Sequence, residues 1–174
     1  MVDGGGATNR SYFDLFVEGV LGREGEATDD PDDPGGETHF GIARKFHPDI
    51  PWPPTKPQAI EIYRSNYWTP IRGDDLPAPL ALVCFDAAVV PGVTWTRKAL
   101  QKVLGVTADG VIGPKTIAAA ERSGPETVIR FTDARIERFR ESAAARPKSQ
   151  KYLKGWRWRC LRVMREAVLL ERTA

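Results

Sequence analysis

Residues 21–42 read LGREGEATDDPDDPGGETHFGI, and this stretch decides how the chain is organised. Upstream of it, Phe13, Phe16, Val17, Val20 and Leu21 recur at i, i+3, i+4, i+7 and i+8, one buried face of a helix. That helix starts at Ser11, keeps Asp14 and Glu18 on its solvent side, and ends at Gly22 and Gly25. Seven carboxylates then crowd between Glu24 and Glu37 with no base among them. Asp-Pro and Asp-Pro-Gly-Gly form turns, so residues 26–54 read as a loop or short β-hairpin, with HFGI as the best strand.

Glu24 stands apart from its acidic neighbours. It lies seven residues after Val17, four after Val20 and three after Leu21, so it continues the apolar stripe. Desolvation on that stripe, an unfavourable helix C-terminus and the surrounding carboxylates all raise its pKa. A carboxyl at about 4.3 is only ~0.2% protonated at pH 7, whereas one at about 6 is ~10% protonated, which suits a general acid. The rival reading is that Glu24 caps the helix or pairs with Arg23 or another surface base.

Beyond residue 54 the pattern is helical. Thr55 caps a helix with Pro57 in its first turn, running to about Trp68 with Ile60, Tyr63 and Tyr67 buried. Residues 77–90 form an apolar central helix stopped by Pro91-Gly92, and 94–104 a short one. TADGVIGP is a turn, after which Pro114 starts a helix ending near Ser123. Two longer helices cover roughly 126–144 and 149–171. The fold class is mainly α (α+β): a helical bundle with a small hairpin or irregular lobe after the first helix. Residues 1–8 read as a loose tail.

The chain has 174 residues, 41% hydrophobic and 28% charged, an ordinary globular composition able to bury a core unaided. A net charge of +2 does not suggest nucleic acid as a partner. Cys84 and Cys160 read as buried reduced thiols. No uninterrupted run of ~18 apolar residues is present, and MVDGGGATNRSYF lacks a signal-peptide pattern. Synthesis in a host or bacterial cytoplasm is therefore expected, as a monomer.

Elimination leaves carboxylate chemistry. His39 and His47 are eight apart without helical ligand spacing, so no metal is expected. No Ser or Cys sits in a nucleophile turn. Pro31 and Pro34 interrupt any calcium-loop spacing. No cofactor is implied.

Glu24-Gly25, Asp30-Pro31, Asp33-Pro34-Gly35-Gly36, Thr38 and Gly41-Ile42 together resemble the signature of glycoside hydrolase family 108. The likeness continues through Tyr63, Asn66-Tyr67-Trp68, Asp75-Leu76-Pro77 and Phe85-Asp86-Ala87-Ala88-Val89. It extends over Leu100-Gln101, Leu104-Gly105, Asp109 to Pro114, Thr116 and Lys154-Gly155-Trp156, so it covers about residues 11–165. The family comprises lysozyme-like N-acetylmuramidases of phage lysis proteins and bacterial relatives.

The resemblance implies a lysozyme-like catalytic region over 9–92 and a C-terminal helical, peptidoglycan-binding-like region over 93–171, packed as one globule. It implies cleavage of the β-1,4 bond after N-acetylmuramic acid, with Glu24 as acid, in a phage or prophage endolysin acting on the cell wall after release. Asp30 and Asp33 match acidic positions and are candidates for a base or nucleophile, and Thr38 for orienting water or substrate. The spacing of a second carboxylate from Glu24 would set inversion or retention. For Asp30 and Asp33 the rival role is turn formation. Tyr63, Tyr67 and Trp68 are candidates to stack on sugar faces; core packing is the rival reading for the two tyrosines, and Trp68 is the better cleft candidate. Residues 109–116 belong either to a wall-binding subdomain or to a helix-capping turn.

The chain departs from the family pattern in two places. Glu26 and Ala27 stand where the family has glycine and an aromatic residue, which makes Glu26 a candidate sugar contact. Val90-Pro91-Gly92 stands where it has Asn-Ser-Gly. A non-catalytic peptidoglycan-binding or virion structural protein of the same fold is the alternative reading.

Finally, residues 146–165 hold eight Lys/Arg and no acid. One reading is contact with anionic cell-wall polymer or a membrane surface. The other is a terminal helix burying Leu153, Trp156, Cys160, Val163 and Met164 under a basic solvent face.

Overall fold

The computed structural model describes residues 11–24, 27–28 and 37–170; of Arg23, Glu24, Ala27, Thr28 and Phe46 it describes the backbone only. The expectations for residues 1–8, Glu26, Asp30 and Asp33 lie outside the described residues. The chain divides into two compact units, residues 1–64 and 65–174. Its fold is mainly α, with a small antiparallel sheet after the first helix.

In the first unit, α1 spans Tyr12–Glu24 and α2 spans Lys56–Tyr63. Ser11 opens α1: its hydroxyl accepts from the Asp14 backbone N–H at 3.3 Å and donates to the Asp14 carboxylate at 2.8 Å. All five residues of the apolar stripe, Phe13, Phe16, Val17, Val20 and Leu21, are buried. The solvent-side acids bind the two ends of α2, with Glu18 2.8 Å from Lys56 and Asp14 3.2 Å from Arg64, the residue that caps the helix C-terminus. These pairs are half exposed and contribute at most about 1 kcal/mol each, setting register rather than stability. Thr55 and Gln58 form the full capping box at the start of α2. The buried residues of α2 are Ala59, Ile62 and Tyr63, so the stripe is rotated from the expected Ile60, Tyr63 and Tyr67. A π-type turn follows over Arg64–Trp68.

Three two-residue strands pair antiparallel in the order β1 (Ala27–Thr28), β2 (Thr38–His39), β3 (Ile42–Ala43). Thr38 faces Thr28 on one side and Ala43 on the other. HFGI is therefore not one strand but two strand ends joined by a tight turn at Phe40-Gly41. Both turn residues have positive φ, 52° and 71°, the geometry of a two-residue hairpin turn whose twist matches its strands.

In the second unit, α3 (Ala78–Ala87) is the core helix, packed against α6 (Pro125–Ala145) and α7 (Gln150–Leu170). Two shorter helices, α4 (Val93–Val103) and α5 (Pro114–Glu121), complete the unit. Residues 80–88 are all buried, Asp86 included. By length and composition alone the stretch 78–103 qualifies as a membrane span, but half of its apolar window is buried inside the protein and a carboxylate sits within it.

That carboxylate is held by two arginines. Asp86 Oδ2 lies 2.7 Å from Arg135 Nη1 and 2.9 Å from Arg159 Nε, with exposures of 0%, 2% and 17% for the three side chains. Arg135 Nη2 also donates to the backbone carbonyls of Asp86 (3.0 Å) and Val90 (2.6 Å), and its Nε to Val90 (3.1 Å). Val90 is where the helix breaks (φ −146°, ψ 119°), before Pro91, which lacks an N–H. Gly92 follows at φ 119°, a conformation that L side chains rarely adopt. The guanidinium of Arg135 thus caps the carbonyls that this break releases.

A second buried polar centre organises the TADGVIGP turn. Gln101, 1% exposed, donates to Asp109 Oδ1 (2.7 Å) and the Val111 carbonyl (2.9 Å) and accepts from the Gly110 N–H (2.7 Å). The Val111 N–H and the Gln101 amide hold the Asp109 carboxyl below the usual carboxylate range. In the same unit, Arg97 donates to the Pro70 carbonyl (2.7 Å) and Arg72 to the Ile112 carbonyl (3.3 Å).

Removing the shared carboxylate takes the ionic partner from both arginines. Asp86→Asn should lower unfolding stability by about 3–5 kcal/mol, read as a shift in the urea midpoint.

Candidate active site

Glu24 is the last residue of α1, and β1 begins at Ala27. The stripe that Glu24 continues in sequence is the buried face of α1. Pairing of Thr28 with Thr38 brings the two ends of the acidic loop together and sets Thr38 in the middle strand, half-buried. The side chain of Glu24 and all of Glu26, Asp30 and Asp33 lie outside the described residues, so only Thr38 among the expected catalytic groups has a described side chain.

Glu37, the last acid of the run, has a role that sequence reading did not assign. Trp52 Nε1 donates to Glu37 Oε1 at 2.7 Å and Arg44 Nη1 to Oε2 at 3.1 Å, while the Arg44 N–H donates to the Glu37 carbonyl at 3.0 Å. The indole N–H foremost, then the guanidinium, hold the Glu37 carboxyl below its ordinary value. It is an anion at neutral pH, the opposite of what a proton donor requires. Its place directly before Thr38 and a nearby Trp in a Pro-rich segment were the signals available for it.

The three candidate aromatic residues differ in exposure. Tyr63 is 1% exposed, and its hydroxyl donates to the Phe40 carbonyl at 2.9 Å, holding the hairpin turn. Trp68 is 0% exposed and packs edge-on against Phe85, with ring centroids 5.4 Å apart. Gly73 lies so close beneath the indole that a Cβ there would overlap it. Trp68 is thus a core residue rather than a cleft wall, and Tyr63 supports the hairpin from within. Tyr67 alone of the three is half-buried.

A groove of about 750 Å³ runs between α4 and α6 in the second unit. Trp95, Lys98 and Lys102 line it from α4, and Glu137, Arg138 and Glu141 from α6. Cys84 and Cys160 are free and buried, and burial raises both thiol pKa values, a setting that disfavours the reactive thiolate. Among the described residues, no group of three or more His, Cys, Asp or Glu side chains is placed to hold a metal ion.

Against known proteins, the family model described as Glycosyl hydrolase 108 matches residues 17–92. The model described as Predicted Peptidoglycan domain matches residues 95–161. Among solved structures, that of Brucella abortus SagA is similar to this chain: the TM-score is 0.79 and the identity 34%, over 90% of this chain and 94% of the other. No curated protein matches the chain.

The Glu37 cradle makes a pH prediction. The folded pKa is depressed, so the contact stabilises the hairpin above the ordinary carboxylate range, and that contribution is lost as pH falls through the folded value. A carboxyl-detected NMR titration should place Glu37 below the ordinary glutamate value, and Trp52→Phe should move it back up.

Proposed function

The chain belongs to glycoside hydrolase family 108, a family of peptidoglycan hydrolases, and on that premise we propose that it is an N-acetylmuramidase with Glu24 as its general acid. The observation that carries this reading is the place of Glu24: it ends α1, on the continuation of a stripe whose other members are all buried. A carboxyl at the C-terminus of a helix is pushed towards its protonated form by the helix dipole. It protonates the glycosidic oxygen after N-acetylmuramic acid as positive charge develops on the sugar ring.

Asp30 or Asp33 serves as the second carboxylate, as base or nucleophile, and supplies negative potential beside that charge. Thr38 orients water or a substrate group; its half-buried place in the middle strand gives it a fixed backbone. Glu26 contacts the sugar beside the acid. Tyr67 is the one aromatic candidate with a partly exposed ring to offer, while Tyr63 and Trp68 act from the core.

The catalytic region is 9–92. Region 93–171 binds the wall, and the groove between α4 and α6 falls within it. The substrate is the glycan strand of peptidoglycan, and the site of action is the cell wall. In a phage or prophage setting this activity lyses the host.

Turbidity clearing of purified peptidoglycan tests the assignment. Glu24→Gln should keep the melting temperature of the wild type and lose activity by roughly 10²–10⁴-fold. Clearing at the wild-type rate by that variant would remove Glu24 as the acid. Failure of the wild type on every wall tested would instead favour a non-catalytic wall-binding protein.

A further inference from the structure

The last helix presents a feature outside the proposed catalytic region. α7 buries Cys160, Val163 and Ala167, and Trp156 stacks on Phe139 with ring centroids 4.8 Å apart. At 3.6 residues per turn, Lys154, Trp158, Leu161 and Arg165 fall on the opposite side of the helix from that buried row. Trp158 is 72% exposed and Leu161 39% exposed. They share a shallow surface recess with Lys151, Lys154 and Arg157. Arg162 and Arg165 extend the cationic face, and Glu166 is the only acid in the helix.

We propose that this outward face of α7 docks the folded protein on an anionic phospholipid surface. An exposed indole at the centre of a basic face is suited to the headgroup region, where an amphipathic ring finds both apolar contact and water. Lysine and arginine around it match the negative potential of acidic lipids. A soluble polyanion would satisfy the cations but leave Trp158 and Leu161 against water. The helix keeps its other face in the bundle core, so it lies along the surface and does not cross it. This inference stands apart from the catalytic reading, because no residue of the face belongs to the proposed active site.

Vesicle flotation with the full chain tests it. The protein should float with phosphatidylethanolamine/phosphatidylglycerol vesicles and stay behind with phosphatidylcholine vesicles. Trp158→Ala, and separately Lys154→Glu with Arg165→Glu, should each weaken retention roughly tenfold or more, with melting temperatures unchanged. Absence of binding to the anionic vesicles overturns the proposal. Retention that Trp158→Ala leaves intact also overturns it, because the face is then a plain polyanion site. Binding to peptide-free glycan strands that needs Trp158, with no vesicle binding, would make the indole a sugar platform and overturn it as well.

Discussion

Asp86 carries a charge into a helix that otherwise buries only apolar surface, and two guanidiniums meet it there. Taking these ions out of water costs several kcal/mol each, so the cluster is not a source of net stability in itself. Its effect is to specify an arrangement. The carboxylate sits where α6 and α7 each present an arginine, and Arg135 reaches further to hold the carbonyls at the Val90 break. Replacing Asp86 takes the ionic partner from both arginines at once. The helix order, the break and the start of α4 at Val93 therefore depend on one another.

This clasp bears on how the chain is divided. Asp86 lies in the stretch matched by the glycosyl hydrolase model, while Arg135 and Arg159 lie in the stretch matched by the peptidoglycan-domain model. Within the second unit, the Arg97–Pro70 and Arg72–Ile112 hydrogen bonds also join residues from the two matches. A chain cut between residues 92 and 95 would separate Asp86 from both of its partners. The two matched regions share a core, although they differ in the chemistry proposed for them. The Val90-Pro91-Gly92 departure falls at this junction, where the structure uses the Val90 carbonyl rather than a polar side chain.

Much of this architecture was legible in the residues. The i, i+3, i+4 recurrence located α1 and its buried face, and Thr55 with Pro57 located the start of α2. Pro and Gly punctuation bounded α4 to α6 to within a residue or two. HFGI was misread because its composition suits a strand, while the left-handed backbone at Phe40 has no sequence mark in a phenylalanine. Trp68 was misread for a different reason: a π-type turn over 64–68 alters the helical phase, so Trp68 is buried and Tyr67 half-buried. The Asp86 clasp was hidden because its members are 49 and 73 residues apart in sequence. Glu37 was visible only as one more acid in a run. Its contacts set it apart, and they keep it ionised where the proposed acid must hold a proton.

The proposed activity is cleavage of the glycan at N-acetylmuramic acid. The most direct measurement is mass analysis of borohydride-reduced fragments released from purified peptidoglycan. Fragments ending in reduced N-acetylmuramic acid are the predicted result. Fragments ending in reduced N-acetylglucosamine, or peptides released without any new reducing end, would contradict it.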